Sequence, residues 1–151
     1  MANSKGTSGG AARQGADINA MRDKLTQNLA CLDKLCRRLE VIADGLPVSV
    51  DMADCNEMAN RLYAELKSVH DFEETLLFPL LVSRAENADN ILRVIERLRF
   101  EHWEDEAYAN EVQDALGLFL KSPRNSNIEG LSWMLRGFFE SVRRHVAFER
   151  D

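Results

Sequence analysis

Residues 25–47 read LTQNLACLDKLCRRLEVIADGLP, and the spacing of the apolar residues in this stretch decides the fold class. Leucine recurs every seven residues, and a second apolar row lies beside it, which is the period of an amphipathic α-helix with one buried face. Gly45 and Pro47 follow the last turn, as is usual where a helix ends. The stretch therefore predicts a long helix that packs against other helices. The two rows are Leu25, Leu32, Leu39 and Leu46, and Met21, Leu35 and Ile42.

The rest of the chain repeats the helical period three times. The second helix is expected from about residues 49–51 to 84, the third from about 88 to 121, and the fourth after the turn-rich SPRNSN at 122–127. Pro79 should kink or shorten the second helix, and Leu76 and Leu92 are expected to face inward. Short connections between long helices favour antiparallel neighbours. The sequence predicts an all-α, antiparallel up-down four-helix bundle over residues 16–151, after a disordered Gly/Ser/Ala-rich tail at 1–15.

The composition suits one ordinary globular domain. The 151 residues are 45% hydrophobic and 29% charged, and no stretch reaches the ~20 apolar residues that a membrane span needs. The first residues lack the apolar core of a secretory signal, and a net charge of −6 disfavours nucleic acid. We therefore expect a cytoplasmic protein without nucleic-acid or membrane partners. Its three cysteines, Cys31, Cys36 and Cys55, are expected to be free thiols.

Histidine occurs three times, and each histidine is followed by glutamate four residues later. With 14 glutamates in 151 residues, chance gives all three pairs about once in a thousand. The spacing places both side chains of a pair on one helix face, and each pair continues an apolar stripe. Three helices are thus predicted to direct an imidazole and a carboxylate inward. The pairs are His70 and Glu74, His102 and Glu106, and His145 and Glu149.

Such a cluster requires a positive charge. Several buried carboxylates without a cation would be very unfavourable, and imidazole nitrogen with carboxylate oxygen is the donor set of non-haem iron, and also of zinc or manganese. The six residues are therefore predicted to hold two ions, with carboxylates bridging between them. On the second helix, Glu73 competes with Glu74 for the inward direction.

These motifs resemble the hemerythrin family, in its HHE cation-binding branch. The matching segments are RLEVIADGLP at 38–47, HDFEETLLFPLL at 70–81, EHWEDEAYANE at 101–111 and RRHVAFERD at 143–151. Members of this family are four-helix bundles that hold a non-haem diiron centre. By position, the resemblance implies His70, His102 and His145 as terminal iron ligands, Glu74 and Glu149 as bridging carboxylates, and Glu106 as a substituted ligand.

The first helix departs from the family because it has no histidine. Asn28 or Leu29 stands at that place, and Asn28 also falls in an apolar row, so its amide is either a weak oxygen ligand or a satisfied core group. Glu101 and Asp105, like Glu73, are neighbours expected to act around the ligands. The site is thus poorer in histidine than an oxygen carrier of this family.

The resemblance implies a diiron protein that senses or handles oxygen, iron or reactive species in a regulatory role, rather than an enzyme or a bulk oxygen carrier. Its partners would be O2 or another small diatomic ligand, and a regulatory protein. The alternative is a metal-free bundle that acts as a protein-interaction module, with Trp133 and Phe139 as contact candidates. Ferritin-like oxidases use Glu-x-x-His, which is found at none of the three histidines. Histidine phosphotransfer would need an exposed histidine, whereas all three are predicted to face inward.

Overall fold

The described chain is helical throughout and contains no strand. The computed structural model covers residues 8–150, with side chains described from residue 15 onward, and residues 1–7 and 151 lie outside the described part. The elements are α1 (Ser8–Gly45), α2 (Met52–Phe72), a π-helical turn (Glu73–Leu77), α3 (Phe78–Arg84), α4 (Ala88–Lys121), a 3-10 turn (Pro123–Asn125) and α5 (Ile128–Arg150). Residues 8–15, expected in the tail, thus belong to α1, and the rest of the expected tail is among the residues not described.

The helices begin and end where the sequence provides the local signals. Helix α1 ends at Gly45, as expected from the Gly and Pro that follow its last turn. The side chain of Asp51 accepts hydrogen bonds from the backbone N–H groups of Ala53 and Asp54, which caps the start of α2. Asn87 caps α4 in the same way. These short, capped connections leave four long helical rods, since α2, the π turn and α3 follow one another without a break in helical backbone.

The π turn is the structural consequence of the proline in this rod. Pro79 lies in the first turn of α3, and the backbone N–H of Phe78 donates to the carbonyl of Glu73, five residues earlier. The wider turn accommodates proline without ending the rod. It also shifts the buried face by one residue, so Glu73 and Phe78 are buried whereas Leu76 is 54% exposed. The expectation that Leu76 faces inward is therefore wrong.

Most of the core lies between the four rods, and a smaller apolar cluster lies between α3 and α4. The smaller cluster consists of Phe78, Ile95 and Leu98. Leu92 is 48% exposed, contrary to expectation, because Ile91 and Ile95 on the neighbouring face make the contact with α3. The largest fully buried side chains of the main core include Leu32, Leu39, Ile42, Met58, Leu62, Leu66, Leu116, Phe119, Leu135, Phe138 and Phe139.

Ion pairs and hydrogen bonds across the helix interfaces run in opposite residue order along the two helices. On α5 and α1 the pairs are Arg136 with Asp44, Arg143 with Glu40, and Arg150 with Asp33. Between α2 and α4 the pairs are Tyr63 with Gln113 and His70 with Glu106. Between α4 and α5 they are Asp105 with Ser141 and Tyr108 with Met134. Each exposed ion pair contributes only about 0–1 kcal/mol, so these contacts align the helices more than they stabilise them.

Candidate metal centre

Three imidazole rings meet in the interior, one from each of three helices. His70 on α2, His102 on α4 and His145 on α5 are 1%, 1% and 5% exposed. The rings of His70 and His102 are stacked, with centroids 3.8 Å apart and planes inclined by 8°. The His145 ring lies 5.0 Å from that of His102. All three histidines are thus buried together, as the helical phase predicts.

The Nδ1 atom of each histidine faces a carboxylate from elsewhere in the bundle. The Nδ1–oxygen distances are 3.2 Å for His70 and Glu106, 3.1 Å for His102 and Glu74, and 3.3 Å for His145 and Glu101. An ionised carboxylate only accepts hydrogen bonds, so the proton of each neutral imidazole is assigned to Nδ1. In the neutral form of each ring, Nε2 then has a free lone pair on the opposite side of the ring.

The inner side of the cluster contains buried polar atoms that do not form hydrogen bonds with one another. Oε2 of Glu73 lies 2.8 Å from Nε2 of His102 and 3.9 Å from Nε2 of His145, and Oε1 of Glu149 lies 2.9 Å from Nε2 of His145. These contacts are close but are not aligned as hydrogen bonds. The atoms without a hydrogen-bond partner are Nε2 of all three histidines and both carboxylate oxygens of Glu73 and of Glu149. Buried polar atoms are rarely left this way, and a shared cation between them would satisfy them.

A metal ion fits the distances. Nitrogen and oxygen donors bind such ions at about 2.0–2.2 Å, so two donors are about 3.0 Å apart at right angles and about 4.2 Å apart when opposite. The contacts of 2.8, 2.9 and 3.9 Å fall at or near these values. Donor atoms of Glu73, His102, His145 and Glu149 all lie within 4.8 Å of one another, as do those of the three histidines. Three imidazoles and two carboxylates suit iron, zinc or manganese.

The electrostatics of the cluster favour a cation at the same place. Burial, together with the neighbouring His102, lowers the pKa of His70 to about 2, so this imidazole is a neutral donor. Burial also lowers the pKa of His145, but Glu149 and Glu73 outweigh burial and raise it to about 10. Burial raises the pKa of Glu149 to about 7. The carboxylates that stabilise a proton on His145 would equally stabilise a metal cation bound to it.

Four of the six predicted ligands lie in this cluster and two do not. His70, His102, His145 and Glu149 are brought together, whereas Glu74 and Glu106 lie on the outer, Nδ1 side of the rings. Glu73, expected as a neighbour of the ligands or as a competitor of Glu74 for the inward direction, is fully buried in the cluster. Helical periodicity alone does not distinguish Glu73 from Glu74, because the π turn that begins at this point sets their directions.

The surroundings of the cluster differ between its two sides. The Phe78 ring lies 5.8 Å from the His102 ring at an angle of 14°, and with Ile95 and Leu98 it covers one side with apolar groups. Between α4 and α5, a polar cavity of about 380 Å³ is lined by Glu101 and His145, among others. The α4–α5 side of the cluster therefore faces a polar cavity rather than apolar side chains.

Comparison with known families agrees with this geometry. The model of the hemerythrin HHE cation-binding domain matches residues 19–151, a range that contains every residue of the cluster. The chain belongs to the hemerythrin HHE cation-binding domain family. The predicted family membership is thus confirmed, and so is the helical fold that the family implies. No curated protein and no solved structure matches the chain significantly.

The first helix of this hemerythrin HHE domain has no histidine near the cluster. Asn28 is buried, and its amide nitrogen has no hydrogen-bond partner within the described part of the chain. Leu29, the other residue at this place, is buried in the apolar core. Asp105 is buried too, and its carboxylate accepts a hydrogen bond of 3.1 Å from the Ser141 hydroxyl. The cluster is therefore built from α2, the π turn, α4 and α5.

Two further features of this hemerythrin HHE domain bear on the sequence-based expectations. Cys31, Cys36 and Cys55 are all free thiols, and burial raises the pKa of Cys36 to about 12 and that of Cys55 to about 11. Among the described residues, no helix combines the length and apolarity that crossing a membrane would require.

Proposed function

We propose that this domain binds non-haem iron through His70, His102, His145, Glu73 and Glu149, and that it senses or handles oxygen, iron or reactive species in a regulatory, non-catalytic role. The observation that carries the proposal is a pair of overlapping groups of close, buried donors, whose inner atoms lack hydrogen-bond partners. One group is the three histidines, and the other is Glu73, His102, His145 and Glu149. Two hard carboxylate donors favour iron, including its ferric state, with zinc and manganese as alternatives.

We further propose that one ion is held tightly, although the sequence alone predicts two. An ion held by both groups of donors together would have five protein ligands and one free position of six for an external ligand. Two ions about 3.5–4 Å apart would need additional donors, since neither ion could be completed by three imidazoles and two carboxylates alone. Those donors would have to come from Glu74, Glu106 or Glu101, which accept hydrogen bonds from the histidines instead.

Each part of the site then has a defined task. The bound iron supplies a coordination position for O2, nitric oxide or another small ligand. The apolar cover around Phe78 excludes water from one side of the cluster, and the polar cavity beside His145 admits small molecules from the other. Because the donors are buried, only a small ligand can reach the ion, and this supports sensing rather than action on a large substrate.

For the bundle itself we propose the antiparallel up-down arrangement. Its support is the reversed residue order of the pairs between α1 and α5, between α2 and α4, and between α4 and α5. Short connections also favour antiparallel neighbours. In this arrangement the three histidines lie at one level of the bundle.

The alternative function is a metal-free interaction module that binds a regulatory protein partner. It is favoured by the lack of a histidine on α1 and by Trp133, which is 74% exposed. Phe139, the other contact candidate, is buried and is therefore not available to a partner.

Nitric oxide binding tests the proposed function. The protein is loaded with ferrous iron without oxygen, and its electron paramagnetic resonance spectrum is recorded before and after nitric oxide is added. We expect a new signal that accounts for most of the iron in the parent and in Glu96→Gln, an exposed control on α4 that does not line the polar cavity. The signal should be lost in His102→Ala. If nitric oxide does not change the spectrum of the iron-loaded parent, the proposed open coordination position is wrong.

A further inference from the structure

In two of the three His-x-x-x-Glu pairs, the glutamate contacts the histidine of the other pair, on the neighbouring helix, instead of its own. His70 of α2 donates to Glu106 of α4 at 3.2 Å, and His102 of α4 donates to Glu74 at 3.1 Å, in the π turn that follows α2. The glutamate four residues after each of these histidines therefore contacts the histidine of the other helix. The stacked rings of His70 and His102 lie between these two bonds. The third pair differs, because Glu149 lies 2.9 Å from Nε2 of its own partner His145.

His145 obtains its outer carboxylate from Glu101. Glu101 lies 3.3 Å from Nδ1 of His145 and also pairs with the exposed Arg97 at 3.2 Å. Glu106 similarly lies 4.0 Å from the ammonium group of Lys67. The side chains of Glu74, Glu101 and Glu106 are 34%, 33% and 20% exposed, so each outer carboxylate reaches solvent as well as a buried imidazole.

We propose that Glu74, Glu101 and Glu106 are positioning residues of the metal centre: each accepts the Nδ1–H of one histidine and so directs the Nε2 lone pair of that ring toward the ion. The proposal rests on the proposed function. A carboxylate on Nδ1 fixes the tautomer, limits rotation of the ring and increases the electron donation of Nε2. The family pattern, in contrast, places Glu74 and Glu106 among the ligands themselves.

The geometry separates the two roles. An oxygen that accepts from Nδ1 lies on the opposite side of the imidazole from an ion bound at Nε2. Glu73 and Glu149 instead approach the Nε2 atoms, and their oxygens have no hydrogen-bond partner. The inner carboxylates therefore have free oxygens for an ion, whereas each outer carboxylate is occupied by a histidine.

Cobalt(II) titrations test the assignment by affinity and by visible spectrum. The variants Glu74→Ala, Glu101→Ala and Glu106→Ala are each expected to weaken Co²⁺ binding by about 10–100-fold, with unchanged Co²⁺ per chain and an unchanged spectrum. The variants Glu74→Gln, Glu101→Gln and Glu106→Gln should lose less, because the amide oxygen still accepts from Nδ1–H. Glu96→Ala, at an exposed position of α4 outside the α4–α5 cavity, is the matched control and should bind Co²⁺ like the parent. Unchanged affinity in the three alanine variants, or a changed spectrum or stoichiometry, would overturn the proposal.

A second measurement does not depend on metal binding. In ¹⁵N-labelled protein without added metal, each hydrogen-bonded Nδ1–H should give a slowly exchanging imidazole signal, and each alanine variant should remove or shift the signal of one histidine. A parent that fails to bind Co²⁺ but shows these signals would contradict the proposed function while keeping the hydrogen bonds. A parent that binds Co²⁺ but lacks these imidazole signals would contradict the positioning role and leave the proposed metal binding intact.

Discussion

Replacing Glu73 with glutamine is expected to lower the affinity of the domain for Fe²⁺ or Co²⁺ by about 10²–10³-fold. Four ligands of a structural zinc site supply about 10–16 kcal/mol together, so one ligand contributes roughly 2.5–4 kcal/mol, at about 1.4 kcal/mol per factor of ten. Glu73 is fully buried, and its oxygen lies 2.8 Å from Nε2 of His102. The measurement is an equilibrium titration against a competing chelator of known affinity.

Glu74→Gln is the control variant for this prediction. Glu74 is the adjacent residue and is a ligand in the family pattern, but it contacts Nδ1 of His102. We expect this variant to lose about tenfold or less, because the glutamine oxygen can still accept from the imidazole. If Glu74→Gln loses more metal affinity than Glu73→Gln, then Glu74 rather than Glu73 is the ligand and the prediction is wrong.

Metal binding is expected to raise the melting temperature by about 8–16 °C. Free ion at a thousand times its dissociation constant stabilises a folded protein by about 4 kcal/mol, and each kcal/mol corresponds to roughly 2–4 °C for a domain of this size. The ion would join donors from α2, the π turn, α4 and α5, which are far apart in the unfolded chain. Circular dichroism melts with and without Zn²⁺ or anaerobic Fe²⁺ measure the shift.

The matched variants for this melting experiment are His145→Ala and Glu96→Gln. His145 contributes a buried donor, so its alanine variant should lose most of the shift. The exposed Glu96 should be replaceable without effect. Identical melting temperatures of the parent with and without ion would contradict the metal centre and support the metal-free interaction module.

The sequence predicts the helices well because their signals are local. Gly45 and Pro47 end α1, Asp51 caps α2, and the turn at 122–127 separates α4 from α5. The exposed positions of Leu76 and Leu92 are not predictable in the same way. Leu76 depends on how the chain accommodates Pro79, and Leu92 depends on which face of α4 meets the short α3.

The histidines of the site are predictable, but the roles of the carboxylates are not. His70, His102 and His145 are the only histidines in the chain, and each continues an apolar stripe, so their shared interior position follows from helical phase. Spacing shows that Glu74 and Glu106 share a face with His70 and His102. It does not show that each glutamate contacts the histidine of the other helix. That exchange depends on the register between α2 and α4, which is a tertiary property.

The most direct test of the metal centre is the number of metal ions per chain. Elemental analysis would be made on protein produced without a histidine tag and never exposed to a chelator. The five-donor cluster predicts about one iron per chain, or one zinc or manganese if these replace it. Two irons per chain would mean that Glu74 and Glu106 are ligands rather than positioning residues. A cooperatively folded protein that contains no metal, and takes up none when ferrous iron is supplied, would contradict the account.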